Sequence, residues 1–483
     1  MKKYILLYIS LFFLFSCKDE VELTFNDFPF IILHKISSIS SSGVAVSASL
    51  YNGNVVHYSE YGLVIDRNNN PSVSDRKIVL NNNPGKDLTV RISNDLVKGE
   101  TYYVRAFVRT SDSLIYSNML SFKSEGCLPP SMSAISSESA TSGNRIIIRG
   151  NNFSELISNN EVCFNDLKAR IIKASIDTLI VFCPNTLIDR SVKIKVTVAT
   201  QTTETSQEFK LLNPWKQIGD FPANPTIFNG QFVYNSKGYL IPGGIISGSE
   251  VEKLKFWEFD LNSNKWNIIS NIPFTTGLWT VGFAKGNDLY CGLGRYQREL
   301  WQFNLDTKTW IQKSSFPGLL RYSFIYPCFQ INNTVYLYSY QDGSSEFWKY
   351  LIESNKWIQL PTPTELNNRE FICGYLYNNS GYLLEINNNA FTIWKFDEAT
   401  NSFAKDHSVT VNSRIETGSF IIKDNLYIPT RMGNLIQYSL TDGLVFYLDD
   451  PTDIYEYSFV FQKDNKAIVG REQTLNVYEF YPR

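Results

Sequence analysis

The sequence predicts an all-β protein: two β-sandwiches in series, followed by a six-bladed β-propeller. Three observations carry this. Large aromatic residues return at nearly constant spacing through the second half of the 483 residues. Each return is embedded in four short strand-like runs joined by turn formers, the pattern of a radial β-array. Ahead of the first return lie two segments of sandwich size.

The propeller elements follow from the repeat. Trp257, Trp301, Trp348 and Trp394 are 44, 47 and 46 residues apart, and nine residues after each stands Trp266, Trp310, Trp357 or Phe403. A weaker copy begins at Asn434 and a half copy ends at Pro482. Within a unit, Trp301, Phe303 and Leu305 alternate with Gln302 and Asn304, so one strand face points inward. Asn262-Ser263-Asn264, Asp306-Thr307-Lys308 and Glu353-Ser354-Asn355 supply hairpin turns between third and fourth strands. Second strands starting at Gly238, Asp288, Thr334, Gly381, Asn425 and Lys466 count six blades. The last blade lacks a fourth strand, while Trp215-Lys216-Gln217-Ile218 stands alone in front of the first and matches Trp266-Asn267-Ile268 in type. The leading strand is therefore expected to complete the last blade and remove two open sheet edges.

From Trp215 to Arg483 the chain resembles the kelch family, including the central domain of galactose-oxidase-like proteins, and the tryptophan spacing carries the resemblance. Only the first blade keeps the family's double glycine, Gly243-Gly244, with Cys291-Gly292-Leu293-Gly294 a loose version. In the segment before it, Ser142-Gly143-Asn144-Arg145-Ile146-Ile147-Ile148-Arg149-Gly150-Asn151-Asn152-Phe153 resembles the opening of an IPT/TIG domain. Earlier still, Leu96 to Phe107 resembles the E–F corner of a fibronectin type III domain. That resemblance implies that Tyr102 makes the tyrosine corner, its hydroxyl bonded to upstream backbone. The expected class is thus two immunoglobulin-like sandwiches and a kelch-type propeller, spanning 28–125, 128–212 and 213–483. The sandwiches read as spacers lifting the ring from a membrane.

The N-terminus supplies the membrane. Two lysines, an apolar run too short to span a bilayer, and Leu14-Phe15-Ser16-Cys17 resemble a bacterial lipoprotein signal, which implies lipidation of Cys17 and removal of 1–17. In the tether 18–27, Lys18-Asp19-Glu20 is similar to the surface-export tag of Bacteroidota lipoproteins, which implies an outer-membrane anchor facing the exterior.

Composition narrows the function. With 45 basic and 47 acidic residues and no basic tract, nucleic acid is not an expected partner. Cys17 aside, six cysteines remain. Cys163 and Cys183 can pair in an oxidising compartment or stay as buried thiols; Cys291, Cys328 and Cys373 read as small core residues. No zinc-type cysteine or histidine spacing occurs, and no cofactor or metal is expected. The histidines are His34, His57 and His407, so a two-histidine copper site cannot be assembled in the ring. His407 reads as a solvated residue and Ser439-Leu440-Thr441-Asp442-Gly443 as a hairpin turn. No pair of carboxylates is singled out for glycoside cleavage, which leaves catalysis unsupported.

In a propeller, the loops from strand four to the next strand one and from strand two to strand three emerge on one end. Arg321, Arg369 and Arg414 precede first strands; Arg295, Arg431 and Arg471 follow second strands. Trp279, Tyr296, Tyr322, Phe371 and Tyr455 fall in the same loop classes. Aromatic faces stack on sugars and guanidinium forks hold carboxylates or hydroxyls, so this end is a candidate glycan-binding face. Two other readings stand beside it: inter-blade bonding by the arginines before first strands, and a face that grips a surface protein. A polysaccharide-degrading enzyme is the remaining alternative.

Overall fold

The computed structural model describes residues 29–51, 58–80, 87–223, 226–227, 230–241, 244–245, 255–274, 279–320, 326–387, 389–451, 457–471 and 474–483. Cys17 and the signal, the tether, His57 and Gly243 lie outside these residues, as do Arg321, Tyr322 and Tyr455.

The first sandwich pairs a three-stranded sheet, ordered Phe30–Ser40, Gly43–Tyr51, Asp87–Ile92, with a four-stranded one, ordered Arg76–Val79, Glu60–Asp66, Thr101–Arg109, Leu114–Lys123. Alternation along Thr101–Arg109 buries Tyr102, Val104 and Ala106 between the sheets. The Val97 N–H donates to Tyr102 Oη at 2.9 Å, the corner bond expected of that tyrosine. The second sandwich packs the sheet Arg170–Ala174, Thr178–Phe182, Arg145–Asn151, Ser131–Ile135 against Leu167–Lys168, Asn160–Phe164, Ile194–Val198, Gln201–Glu204, with a short three-stranded sheet at one end. Gly150 is required there: a Cβ would sit 1.9 Å from the Ser131 carbonyl, where the pairing of the two strands shifts register.

Cys163 and Cys183 are both free. Cys163 lies on Asn160–Phe164, whereas Cys183 follows Thr178–Phe182 in the opposite sheet and is fully buried, its Sγ against the Ala140 carbonyl. Of the two outcomes the sequence left open, the structure has the free thiols, Cys183 buried and Cys163 half-buried.

The sandwiches share one apolar core and a buried polar node. Buried Arg76 donates to the carbonyls of Asn94 and Asp95 at 3.0 and 3.2 Å. Asp95 Oδ2 accepts from Ser154 Oγ at 2.5 Å and Asn159 Nδ2 at 2.8 Å, both on the second sandwich. A buried arginine so satisfied fixes geometry, because removing any partner strands a desolvated charge.

Six four-stranded antiparallel sheets form the ring. Blade one is Gly230–Tyr234, Lys237–Ile241, Lys255–Asp260 and Lys265–Asn271; blade two is Val281–Lys285, Asp288–Gly292, Leu300–Asn304 and Trp310–Gln312. Blade three is Cys328–Ile331, Thr334–Gln341, Ser344–Leu351 and Lys356–Leu360; blade four is Phe371–Tyr377, Ser380–Asn387, Ala390–Asp397 and Ser402–Thr410. Blade five is Phe420–Ile422, Asn425–Pro429, Asn434–Ser439 and Val445–Asp449. Blade six takes Tyr457–Lys463, Lys466–Arg471 and Asn476–Phe480, and its fourth strand is Trp215–Asp220. Trp215 pairs with Phe480, their rings 4.6 Å apart, so the ring closes as the leading strand predicts.

The repeat aromatics fill the spaces between blades. Phe221, Trp257, Trp266, Phe459 and Phe461 make one such wedge, between blades six and one. Buried side chains of this size stabilise by roughly 2–3 kcal/mol each from apolar area alone.

Candidate ligand-binding face

Antiparallel order fixes which loops share an end of the ring. Each blade reverses direction at every strand, so loops after second strands and loops before first strands emerge together. The described arginines expected on that face do reach those loops, but the structure gives them two different roles.

Arg369 and Arg414 are paired with acids. Arg369 Nη1 lies 2.8 Å from Glu385 Oε1, its Nε donates to the Glu365 carbonyl at 2.6 Å, and its guanidinium lies over the Trp394 ring. Arg414 Nε is 3.5 Å from Glu416 Oε1, and its carbonyl accepts the Arg431 N–H at 2.9 Å. Arg369 ties blade four's second strand to the loop that enters that blade, Arg414 pairs within the loop that enters blade five, and both charges are compensated.

Arg295 is built differently. It sits in the loop between Asp288–Gly292 and Leu300–Asn304, with its guanidinium 5.0 Å from the Tyr296 ring centroid and 5.9 Å from that of Trp279. Trp279 comes from the loop that enters blade two from blade one. Nη2 donates to Tyr296 Oη at 3.2 Å, while buried Nε makes no hydrogen bond. No carboxylate pairs with Arg295 among the described residues. Both aromatic residues are in the left-handed region, Trp279 at φ +60° and Tyr296 at φ +62°. Bulky side chains there cost on the order of 1–2 kcal/mol each. Tyr296 is 57 % exposed, so that energy holds a ring in solvent rather than in a core.

Arg471 ends blade six's second strand, its guanidinium 5.8 Å from the Tyr478 ring. It borders a slot shared with Phe221, Ser458, Thr474 and Asn476, where buried Arg471 Nε and Thr474 Oγ1 have no hydrogen-bond partner. Nearby, burial and the Asp450 carboxylate accepting its proton at 2.6 Å push the Tyr457 phenol well above its usual pKa. Arg431 is exposed beside Met432, which is 70 % exposed.

Phe371 is a correction. Expected on the ligand face, it is fully buried, edge-on to Tyr338 at 4.9 Å. It begins its strand, and strand alternation turns that first residue into the space between blades three and four. His407, expected to be solvated, is only partly so: it packs edge-on to Tyr438, with Nδ1 3.2 Å from Asp406 Oδ2.

Sequence reasoning missed the acids that hold the repeat tryptophans. Glu299 and Glu346 accept from the indoles two residues ahead, Trp301 and Trp348, at 3.0 and 2.9 Å. Glu385 reaches Trp394 from the neighbouring strand at 2.8 Å. The signal was present for the first two as Glu-x-Trp inside the repeat.

Among known proteins, the family model described as IPT/TIG domain matches residues 130–211. That segment is an IPT/TIG domain. It falls within the 128–212 span expected from sequence. No curated protein matches the chain in sequence. Among solved structures, an auxiliary nutrient binding protein from Bacteroides ovatus is 11 % identical, covers 74 % of this chain and 98 % of its own, and superposes with a TM-score of 0.43. A second protein so described, from Bacteroides thetaiotaomicron, is 11 % identical with a TM-score of 0.41, covering 73 % and 98 %. A Bacteroides thetaiotaomicron protein of unknown function is 12 % identical with a TM-score of 0.39 over the same shares.

Proposed function

We propose that this protein is a non-catalytic lipoprotein of the cell surface that captures glycan on the loop face of its propeller. The Trp279–Arg295–Tyr296 arrangement carries the reading. A solvent-exposed ring beside a guanidinium held on aromatic faces offers both an apolar platform for a pyranose and fixed donors for its substituents. Arg369 and Arg414 are already paired with glutamates and take no part in it. The N-terminal resemblance supplies the anchor, and Cys17→Ala is expected to abolish incorporation of labelled fatty acid in cells.

Affinity electrophoresis and calorimetry on a panel of polysaccharides test the binding. Retardation by at least one polymer is expected, with loss in Tyr296→Ala and no change in a variant of exposed Leu376, on the opposite end of blade four. A panel with no binder, or binding indifferent to Tyr296, defeats the reading. Exposed Met432 beside Arg431 favours a second one, a protein partner gripped on the same face. Pull-down from envelope extracts that is lost in Met432→Asp, with no glycan bound, would decide for it.

A further inference from the structure

We infer that the loop face selects polyanionic glycans, with Arg295 and Arg471 each taking one carboxylate or sulfate on either side of blade one. This rests on the glycan-binding reading and names its ligand class.

The argument begins with which charges are already answered. Among the described arginines of this face, Arg369 and Arg414 have glutamate partners. Arg295 and Arg471 have aromatic faces instead. An aromatic face orients a guanidinium and shields one side of it, but leaves its full charge in place. The rest of the chain does not make such excess ordinary, because acids outnumber bases and the formal charge is −2. Among the described residues neither arginine has a carboxylate partner, which on a mildly acidic protein is a local feature. Each also has a buried Nε without a hydrogen bond. Arginine without an acid partner, in a fixed orientation, is the arrangement that binds planar or tetrahedral oxyanions through paired donors.

Placement then sets the number of anions. Arg295 belongs to blade two and Arg471 to blade six, and blade one stands between, its first strand packed against the first strands of both. Stacked sheets lie about 10 Å apart, so two steps around the ring separate the arginines by on the order of 15–20 Å. One anionic group serves only one of them. A chain with a charge on successive or alternate sugars serves both, and Tyr296, exposed beside Arg295, supplies the stacking surface for an intervening ring.

Two polymer pairs test this, each with one backbone and two charge states: polygalacturonate against its fully methyl-esterified form, and dextran sulfate against dextran. Calorimetry on the full chain is expected to show binding to a charged member and at least about tenfold weaker binding to its neutral twin, about 1.4 kcal/mol. Arg295→Ala and Arg471→Ala are each expected to weaken the charged polymer by about the same factor, with unchanged thermal melting. Arg295→Lys, which keeps charge without the fork, is expected to recover part of it. The pair that binds tells carboxylate from sulfate. Equal binding to both members, lost in Tyr296→Ala, would overturn the anion inference and leave glycan capture standing. Charged-polymer binding unaffected by either alanine variant would also overturn it. Binding to no polymer would remove both.

Discussion

Glu346 holds two donors at once: Oε2 accepts the Trp348 indole at 2.9 Å and the Leu319 backbone N–H at 2.7 Å. Glu299 holds one, the Trp301 indole. Removing an acceptor from partly buried donors costs their desolvation without compensation. Glu346→Ala is therefore expected to destabilise by about 2–3 kcal/mol and Glu299→Ala by about 1 kcal/mol in chemical denaturation. Equal losses would show that the second bond contributes nothing. The cysteines give a sharper residue-scale test. Burial pushes the Cys183 and Cys328 thiols up to about 12 and Cys373 to about 11, so at pH 8 each is protonated and inert. Cys163 lies on a half-exposed strand position. Native alkylation at pH 8 is expected to modify Cys163 first and leave the other three until unfolding. Finding Cys163 and Cys183 joined in the oxidised protein would refute their assignment as free thiols.

At the scale of elements, the seam of the ring is the strand Trp215–Asp220. Its tryptophan meets Phe480 on one side, and its indole donates to the Asp449 carbonyl of blade five at 3.0 Å. Trp215→Ala opens a cavity at the one place where the ring depends on a strand from outside its linear order. A loss of about 3–5 kcal/mol is expected, with a broadened transition as blade six loses its fourth strand. A sharp transition of unchanged midpoint would mean that the seam is dispensable. This closure was legible in the sequence because a blade is a local pattern: four runs, two aromatics and a turn, with a spare strand in front. Phe371 was not legible, because strand direction alternates by residue, and a one-place difference in where a strand begins reverses the side chain. Nor was the split among arginines. Arg369 finds Glu385 sixteen positions away on another strand, and no local spacing announces such a pair. The clamp at Arg295 was visible only as types of residue in one loop class, without the left-handed backbone that sets its rings.

Across the whole molecule, the domains expected as spacers are docked to one another. Arg145 of the IPT/TIG domain grips Asp442 of blade five with two bonds of 2.5 and 2.7 Å. Gln437 donates to the Gly143 carbonyl, Arg170 to that of Val445 and Asn185 to that of Tyr447, while Phe182 packs on Phe446 at 4.9 Å. The Arg76–Asp95 node fixes the first sandwich to the second in the same way. The face proposed to bind ligand is thereby held in a fixed orientation relative to the two sandwiches. The Asp442 turn, expected as an ordinary hairpin, is thus the propeller's handle for the neighbouring domain. Arg145 holds the Asp442 carboxyl down at about 2. A depressed acid contributes stability that is complete above its unfolded value near 4 and lost as pH falls through 2. Both side chains are more than a third exposed, so screening keeps that contribution within about 1 kcal/mol. Acid alone is therefore a weak lever on the joint, and sterics are a strong one. Gly143 has φ +79°, and a Cβ there would meet Gln437 Oε1 at 2.3 Å and the Leu448 and Phe446 side chains just beyond 3 Å. Gly143→Val is expected to unseat the domain: the radius of gyration in solution scattering rises and a protease site opens near Asn213, while the ring still melts cooperatively. Asp442→Asn should leave the scattering profile as it is between pH 5 and 8. If the valine variant scatters like the parent, the contacts between blade five and the IPT/TIG domain do not set the orientation of the ring.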